Sequence, residues 1–235
     1  MKNASSMRVK IKEVVRRAYN VKSVRVENPG KDYKAGQFLC VTLNAEKECK
    51  RYLSISSSPS EKDHIEFTKK LTQSDFSRAL DSLKPGDMVH IQYPFGKFTL
   101  DSASTRIAFL SGGIGITPIR SMCRYAVDTK LDIDMVLLYA NRSIRDIVFK
   151  EDFDLMQKQH PGLRVAHVLC EPAHGFKCTV GLINSRIVKN EVPDYAVRKY
   201  YVCGPPAMVE SMKRLLGEEL DVTEDRIATE RFQGY

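Results

Sequence analysis

A glycine-rich segment is the first part of the sequence that suggests chemistry. Residues 112–118 read GGIGITP and follow the apolar run at 107–110. Glycines let backbone N–H groups approach a pyrophosphate, while Thr117 can cap a following helix and Pro118 suits its first turn. Because Pro118 replaces the third glycine of G-x-G-x-x-G, a tight turn without a ligand is the alternative. Ligands bind at the carboxyl ends of parallel strands, so we interpret the segment as a dinucleotide-binding loop.

A second predicted strand-to-helix turn carries a cysteine. Residues 203–208 read CGPPAM. Gly204 leaves room for a close contact, and the pair Pro205 and Pro206 suits the start of a helix. Cys203 would then stand at the tip of a strand, over the crevice where a ligand binds. The alternative is a buried cysteine that acts as a small apolar side chain.

A third segment, RYLSISSSP at 51–59, joins an arginine to alternating hydroxyl groups. The guanidinium of Arg51 offers a planar fork for phosphate oxygens. Ser54 and Ser56 lie two residues apart, so on a strand they point to the same face and could hold a polar ring system. A serine-rich approach to a turn, without any ligand, is the competing interpretation.

The first hundred residues are predicted to form six short strands. Apolar residues alternate with polar ones, and clusters such as KPGD at 84–87 separate the runs. Six strands at this spacing favour a small closed antiparallel barrel. One helix is expected among them, capped by Ser74. The alternating positions are Val9, Ile11, Val24, Val26, Phe38, Cys40, Thr42, Leu53, Ile55, Ile65, Phe67, Val89, Ile91 and Tyr93, and the helix face is Phe76, Ala79, Leu80 and Leu83.

After residue 101 the pattern changes to alternating strands and helices. Continuous apolar runs predict strands that are buried on both faces of a parallel, Rossmann-like sheet. We place the boundary at 101–105, which gives a barrel domain at 1–102 and an α/β domain at 103–235. The strands are expected at 107–110, 135–139, 165–169 and 200–203, and the helices at 118–127, 146–159 and 206–219.

Composition excludes several classes of protein. The chain has 235 residues and a net charge of +8, but its Lys and Arg residues are scattered, so nucleic acid is not an expected partner. No apolar run is long enough to cross a membrane. Six cysteines without a C-x-x-C pair predict neither a protein-held metal nor an iron-sulfur centre. A chain of this length without an export signal is expected to be cytoplasmic, with its thiols reduced. The net charge leaves an acidic protein partner open.

The order of these motifs resembles the ferredoxin-NADP reductase superfamily of two-domain flavoenzymes. Supporting segments are AGQF at 35–38, LKPGD at 83–87, PFGKF at 94–98 and ERFQGY at 230–235. The resemblance covers nearly the whole chain. It implies that the barrel binds FAD, that the α/β domain binds NADP or NAD, and that the two reacting rings meet between the domains.

The resemblance also implies roles for individual residues. Arg51 would hold the flavin pyrophosphate and Ser54 would bond near flavin N5. Cys203 and Glu230 would border the reacting ring, so Ser54, Cys203 and Glu230 are the expected catalytic residues, which orient rings and are not covalent nucleophiles. The residues assigned to cofactor binding are Arg51, Leu53, Ser54, Ser56, Phe67, Thr68, Lys70, Ser74, Ser77, Gly112, Gly113, Gly115, Thr117, Pro118, Asn141, Arg142, Cys203, Gly204, Pro205, Phe232 and Tyr235.

Two features depart from the family pattern. The family usually has Arg-x-Tyr-Ser, with the tyrosine ring against the flavin, whereas Leu53 occupies that place here. Aliphatic packing, or Phe232 and Tyr235 from the C-terminus, would have to replace that stacking. Many members also carry a fused iron-sulfur or globin domain, and this sequence has neither. Its electrons are therefore expected to pass to a separate acceptor, either a redox protein such as ferredoxin, flavodoxin or an oxygenase component, or a small molecule.

The choice of coenzyme turns on residues 141–146, which read NRSIRD. Arg142 and Ser143 could grip the 2′-phosphate of NADPH, while Asp146 could bond the ribose hydroxyls of NADH. Two arginines against one aspartate favour NADPH.

The function predicted from the sequence is that of an FAD-dependent NAD(P)H oxidoreductase. The alternative is an electron-transfer subunit of a larger redox complex that is inactive alone. A flavin-free dinucleotide dehydrogenase with a substrate-binding barrel is a second rival. An interaction module would explain the net charge but none of the three motifs.

Overall fold

The computed structural model describes residues 6–44, 48–101 and 103–232. Its first half is a barrel whose strands are β1 (Met7–Ala18), β2 (Val21–Glu27), β3 (Phe38–Asn44), β4 (Glu48–Ser54), β5 (His64–Lys70) and β6 (Met88–Phe95). They pair antiparallel in the order β4-β3-β6-β1-β2-β5, and a bridge between Ile55 and Phe67 joins the two ends of the sheet. The predicted six-stranded barrel is confirmed.

Period-two alternation decides which side chains fill the barrel. Leu39 and Val41 on β3 are fully buried in its core, and Leu53 on the neighbouring β4 packs against that core. The residues between them in sequence therefore point out of the barrel. Helix α1 (Asp75–Asp81) closes one side, and its predicted cap is confirmed because the Ser74 hydroxyl accepts a hydrogen bond from the Ser77 N–H.

The second half is a six-stranded parallel sheet with helices, as predicted. Its strands pair in the order β10-β9-β8-β7-β11-β12, and helices cover both faces, which explains why the central strands are apolar throughout. The elements are β7 (Arg106–Gly112), α2 (Ile116–Asp128), β8 (Asp134–Asn141), α3 (Lys150–Gln159), β9 (Leu163–Leu169), β10 (Thr179–Val180), α4 (Ser185–Glu191), β11 (Lys199–Gly204), α5 (Pro206–Arg214) and β12 (Ile227–Arg231).

Some predicted boundaries are wrong. The helix expected over 146–159 begins only at Lys150, because Phe149 adopts a left-handed conformation with φ of 61° that separates it from a short 3-10 turn at Ile144–Asp146. The helix expected over 206–219 has the predicted bounds, but it is α-helical only to Arg214 and continues as a π-helix to Glu219. The sequence prediction also lacked β10, α4 and β12.

The two halves are joined by buried polar contacts. Arg120 on α2 is only 4% exposed, and its guanidinium pairs with Glu61 of the barrel and with Asp152 on α3. The same side chain donates to the carbonyl of Ser56 at 3.2 Å, and the Ser121 hydroxyl reaches the carbonyl of residue 57 at 2.6 Å. These bonds fix how the barrel faces the parallel sheet, and so position the site between them.

Candidate functional site

The expected catalytic residues meet at the junction of the two halves. Ser54 ends β4 with its side chain outside the barrel, and its hydroxyl donates to the Glu230 carboxylate at 3.4 Å. Glu230 lies on β12, which runs parallel to β11 with Glu230 paired to Cys203. Residues 54, 203 and 230 are therefore brought together from three strands and from both domains.

Burial controls the charge of this junction. It raises the pKa of Glu230 to about 7, although the hydrogen bond from Ser54 opposes the shift. Burial also raises the pKa of the Cys203 thiol well above its usual range, and the charge of Glu230 adds to the effect. A neutral thiol is a poor nucleophile, so Cys203 is suited to packing against a ring rather than to covalent chemistry.

Two glycines of the 112–118 segment allow close packing. A Cβ on Gly115 would lie 2.4 Å from the carbonyl oxygen of Cys203, and one on Gly112 would lie 2.2 Å from the sulfur of Met208. Gly113 has free space around it, but its φ of +53° is one that other residues rarely adopt. The glycine segment is thus pressed onto the turn after β11, which joins the two predicted dinucleotide motifs into one surface.

The predicted helix cap at Thr117 is wrong. Helix α2 begins at Ile116 with Gly115 as its N-cap residue, and no side chain caps it. The Thr117 hydroxyl is buried and donates instead to the carbonyl of Ile114 at 3.0 Å, while Pro118 lies in the first turn as expected. The 3-10 turn at Gly113–Gly115 runs directly into α2, and the Ile116 N–H bonds back to the Gly113 carbonyl. The start of the helix therefore favours an anion mainly through the positive end of its dipole.

A cavity of about 1180 Å³ opens at the carboxyl ends of the parallel strands. The glycine segment and the turn after β11 form one wall, with Gly112, Gly113 and Pro205 in contact with the cavity. Tyr19 and Lys70 of the barrel also line it. The cavity therefore lies where ligands bind in open α/β folds, and it reaches across to the first domain.

Asn141 lines this cavity, and its side-chain amide is buried. It is 6% exposed, and within the described part of the chain neither its amide nitrogen nor its oxygen has a partner. Buried polar groups are usually satisfied, so this amide is suited to a bound ligand. Arg142 is exposed beside it and pairs with Glu171 at 2.9 Å, whereas Asp146 accepts bonds from the backbone and hydroxyl of Ser143.

The residues assigned to the flavin fall into two groups. Arg51 is exposed and lies over the Phe76 ring at 5.7 Å, near the helix start that carries Ser74 and Ser77. By contrast, the side chain of Phe67 is fully buried in the barrel core. The hydroxyls of Ser56 and Thr68 are buried and hydrogen-bonded to each other at 2.8 Å. Those side chains support the strands rather than facing the junction.

The C-terminal aromatic residues are only partly described. The N–H of Phe232 donates to the carbonyl of Gly204 at 3.0 Å, and its ring is half-buried against the core of the α/β domain. This places Phe232 beside the turn after β11. Tyr235 lies outside the described residues.

Sequence reasoning missed two buried polar groups that shape the site. Glu66 lies inside the barrel wall between Arg17 and Arg25. Tyr139 ends the apolar run of β8, and its hydroxyl donates to the Gly113 carbonyl at 3.1 Å and accepts from the Val148 N–H at 3.2 Å. A tyrosine at the carboxyl end of a buried strand was the available signal for this link between two walls of the cavity.

Comparison with known proteins agrees with this geometry. The profile of the oxidoreductase FAD-binding domain matches residues 6–100, and that of the oxidoreductase NAD-binding domain matches residues 109–214. The chain therefore belongs to the ferredoxin-NADP reductase superfamily of FAD- and NAD(P)-binding oxidoreductases. The resemblance inferred from the sequence motifs is confirmed.

Individual relatives are similar over most of the chain. The NADH-cytochrome b5 reductase 1 of Aspergillus oryzae is 31% identical over 200 residues, which cover 80% of this chain and 68% of that protein. The glycine betaine monooxygenase reductase subunit of Pseudomonas aeruginosa strain UCBPP-PA14 is 33% identical over 192 residues, 78% of this chain but 52% of the relative. The chain thus spans about half the length of that relative.

Solved structures share the fold. The cytochrome b5 reductase domain of Ulva prolifera nitrate reductase superposes with a TM-score of 0.85 at 18% identity, over 97% of this chain and 98% of that domain. None of the helices in the described ranges is both long and apolar enough to span a membrane.

The residues present fit FAD and a nicotinamide dinucleotide. Gly112, Gly113 and Asn141 line one cavity, and the backbone of such a glycine segment suits a pyrophosphate. On the barrel, Arg51 is exposed near the start of α1, and Ser54 is buried at the junction with Glu230.

Proposed function

We propose that this chain oxidises NAD(P)H through bound FAD and passes the electrons to a separate acceptor. The observation that carries the proposal is the hydrogen bond between Ser54 of the barrel and Glu230 of the parallel sheet, with Cys203 paired beside it. This contact lies between the two predicted cofactor sites. Two rings held from opposite domains would meet there.

The chain's own residues bind and orient the two cofactors and exclude water from them. Arg51 grips the flavin pyrophosphate, and Ser54 bonds near flavin N5. The backbone of Gly112 and Gly113 and the start of α2 hold the nicotinamide pyrophosphate. Fixing both ends of two long cofactors brings the reacting atoms close to contact, and bound FAD itself supplies the ability to accept hydride and to release electrons singly.

Glu230 and Cys203 border the nicotinamide ring in this proposal. The buried thiol leaves no room for water on one side, and Glu230 presents a carboxyl whose pKa of about 7 lets it exist in either protonation state near neutrality. Phe232, beside the turn after β11, is proposed to cover the ring region together with Tyr235. Leu53, at the sequence position of the family's tyrosine, packs against the barrel core.

The acceptor is proposed to be a redox protein. The Pseudomonas relative is the reductase subunit of a monooxygenase, and the Aspergillus relative is named for its reduction of cytochrome b5. An acidic carrier is proposed on the net charge of +8. A cytoplasmic setting is part of this proposal and rests on the sequence, whose cysteines include no C-x-x-C pair.

We propose NADPH as the preferred coenzyme, with the exposed Arg142 as the group that binds its 2′-phosphate. Because the Asp146 carboxylate is occupied by Ser143, it is less available to ribose hydroxyls. Arg142→Ala should lower kcat/KM for NADPH about tenfold and leave NADH within about twofold. Arg164→Ala, at an exposed arginine that also pairs with a glutamate but lies outside the cavity lining, is the matched control. Equal losses with both coenzymes would contradict this assignment.

The competing function is an electron-transfer subunit that is inactive alone. The test is turnover by the purified, FAD-reconstituted chain with NADPH or NADH and 1,4-benzoquinone, a small uncharged acceptor. Sustained coenzyme oxidation is expected. FAD retention without turnover would favour the subunit role, and failure to retain FAD would favour a flavin-free dehydrogenase.

A further inference from the structure

Three aromatic side chains form a cluster on the outer face of the barrel. Tyr52, Phe38 and Phe95 lie on the neighbouring strands β4, β3 and β6, with ring centroids 5.8 to 6.1 Å apart. Tyr52 is 67% exposed, and the other two are half-buried. We call these three residues the aromatic patch. Contiguous exposed aromatic surface is typical of sites that bind another protein.

The aromatic patch adjoins the proposed electron-transfer site. Tyr52 and Ser54 are two residues apart on β4 and point to the same side, which puts their Cα atoms about 7 Å apart. Phe38 is paired directly with Ser54 on one side and with Phe95 on the other. A protein seated on the patch would therefore lie next to the ring held at Ser54.

The patch is rigidly built. A Cβ on Gly96 would lie 2.8 Å from the Phe38 ring, so the ring rests directly on the backbone there. The Gln37 side chain accepts from the Lys34 N–H at 2.8 Å and donates to the Gly96 carbonyl at 3.1 Å. These bonds fix the two loops that flank the patch. A preorganised surface loses little conformational entropy when a partner binds.

Basic residues surround the aromatic patch. Lys34 and Lys97 are exposed in the two flanking loops. Arg8 and Lys10 are exposed on β1, farther along the barrel, because Arg8 is paired with His90, five residues before Phe95 on β6. An aromatic centre with a basic rim is complementary to an acidic surface, and such charges steer association.

We propose that the aromatic patch and its basic rim are the docking surface for a small acidic redox protein, which takes electrons from the flavin beside Ser54. The proposal rests on the proposed function. It assigns the acceptor a place on the barrel and names Tyr52, Lys34 and Lys97 as residues that select the partner without touching the cofactors.

The test uses the full FAD-loaded chain and two haem proteins of opposite charge, the acidic cytochrome b5 and the basic cytochrome c. Lys34→Glu/Lys97→Glu should raise KM for cytochrome b5 about tenfold at low salt and remove most of its salt dependence. The same double variant should reduce cytochrome c at least as fast as the unaltered chain does. Tyr52→Ser should lower kcat/KM for cytochrome b5 about fivefold at any salt concentration.

The matched control, Lys158→Glu/Lys189→Glu, makes the same change in net charge on α3 and α4. Equal effects of the two double variants, or no reduction of cytochrome b5 by a chain that reduces benzoquinone, would overturn the docking surface. If the unaltered chain does not reduce benzoquinone, the proposed function is overturned instead.

Two other possible occupants of the aromatic patch would give different experimental results. A membrane surface predicts that the chain sediments with phosphatidylserine vesicles, and that Lys34→Glu/Lys97→Glu abolishes this without altering cytochrome b5 kinetics. A second copy of the chain predicts a dimer by light scattering that Tyr52→Ser converts to a monomer. Either result would contradict the proposal.

Discussion

Glu230 is the residue whose charge the fold most clearly disfavours. Its pKa rises from 4.5 to about 7 in the folded chain because the carboxyl is buried. Below pH 4.5 it is protonated in both states. Between pH 4.5 and 7 only the unfolded chain ionises, so stability falls with rising pH by up to about 3 kcal/mol and then levels off.

Glu230→Gln should therefore remove this loss. We expect the unfolding free energy of the unaltered chain, relative to the variant, to fall between pH 4.5 and pH 8, as measured by urea unfolding. Glu218→Gln, at an exposed position, is the control. A constant difference between the chain and the Glu230 variant across that range would contradict the buried, neutral carboxyl.

At the residue scale, motif chemistry predicted which residues meet but not every side-chain role. Ser54, Cys203 and Glu230 were expected together and lie together. Thr117 was expected to cap a helix, yet its hydroxyl bonds backward to Ile114, because the helix begins two residues earlier than the motif suggests. The role of Tyr139 depends on carbonyl and N–H groups from two loops, which no local pattern encodes.

Among the elements, the turn from β7 into α2 depends on where each glycine stands. Gly115→Ala would force a Cβ to within 2.4 Å of the Cys203 carbonyl, a backbone group that cannot move aside. We expect a loss of about 2 kcal/mol of unfolding free energy from this overpacking. We also expect a rise in KM for NAD(P)H, because the glycine segment would shift away from the turn after β11.

Gly113→Ala is the matched control for this turn. It has space for a Cβ but keeps φ at +53°, so we expect a smaller loss of about 1 kcal/mol. Urea unfolding and coenzyme KM values check both variants. If Gly115→Ala loses no more unfolding free energy than Gly113→Ala, the close contact of Gly115 with β11 is contradicted.

Strong periodicity explains which elements were predictable. The central strands β7, β8 and β11 have continuous buried runs in their middles and were found at nearly the right residues. Strand β12 reads IATER and is only half-buried, so it has neither a continuous apolar run nor clean alternation. It forms because β11 offers a free edge in register, which is a tertiary effect. The prediction therefore missed the strand that carries Glu230.

The whole molecule depends on a buried charge network between its halves. Glu66 is fully buried. Burial pushes its pKa upward, but the guanidinium groups of Arg17, Arg120 and Arg25 outweigh this and hold the pKa at about 2. Arg120 belongs to the other domain, so the network joins both. The stability that this charge network contributes to the folded chain is present above pH 4.5 and is lost as the pH falls toward 2.

Glu66→Gln should leave these arginines partly unpaired. We expect a destabilisation of roughly 3 kcal/mol at pH 7, because removing one partner of a buried ion pair strands the other charge. The difference should shrink at pH 3, where the unaltered chain has lost part of the same advantage. Urea unfolding at both pH values measures it. If the two chains differ in unfolding free energy by the same amount at pH 3 as at pH 7, the charge network is contradicted.

Two sheets were predictable from composition and periodicity, but their relative placement was not. It depends on pairs such as Arg120 with Glu61 and Ser60 with Asp128, which are far apart in sequence. Net charge likewise indicated an acidic partner without locating the surface that meets it. The domain boundary at 102/103 falls between the last barrel strand and the first parallel strand, and stays a prediction.

The central claim is that a nicotinamide held by the parallel sheet reaches a flavin held by the barrel at the Ser54 and Glu230 junction. Anaerobic titration of the FAD-loaded chain with NADPH or NADH tests it most directly. We expect the visible flavin absorbance to be lost with one coenzyme per flavin, and to be lost more slowly in Ser54→Ala that retains FAD. Flavin absorbance that persists in excess of both coenzymes would contradict the account.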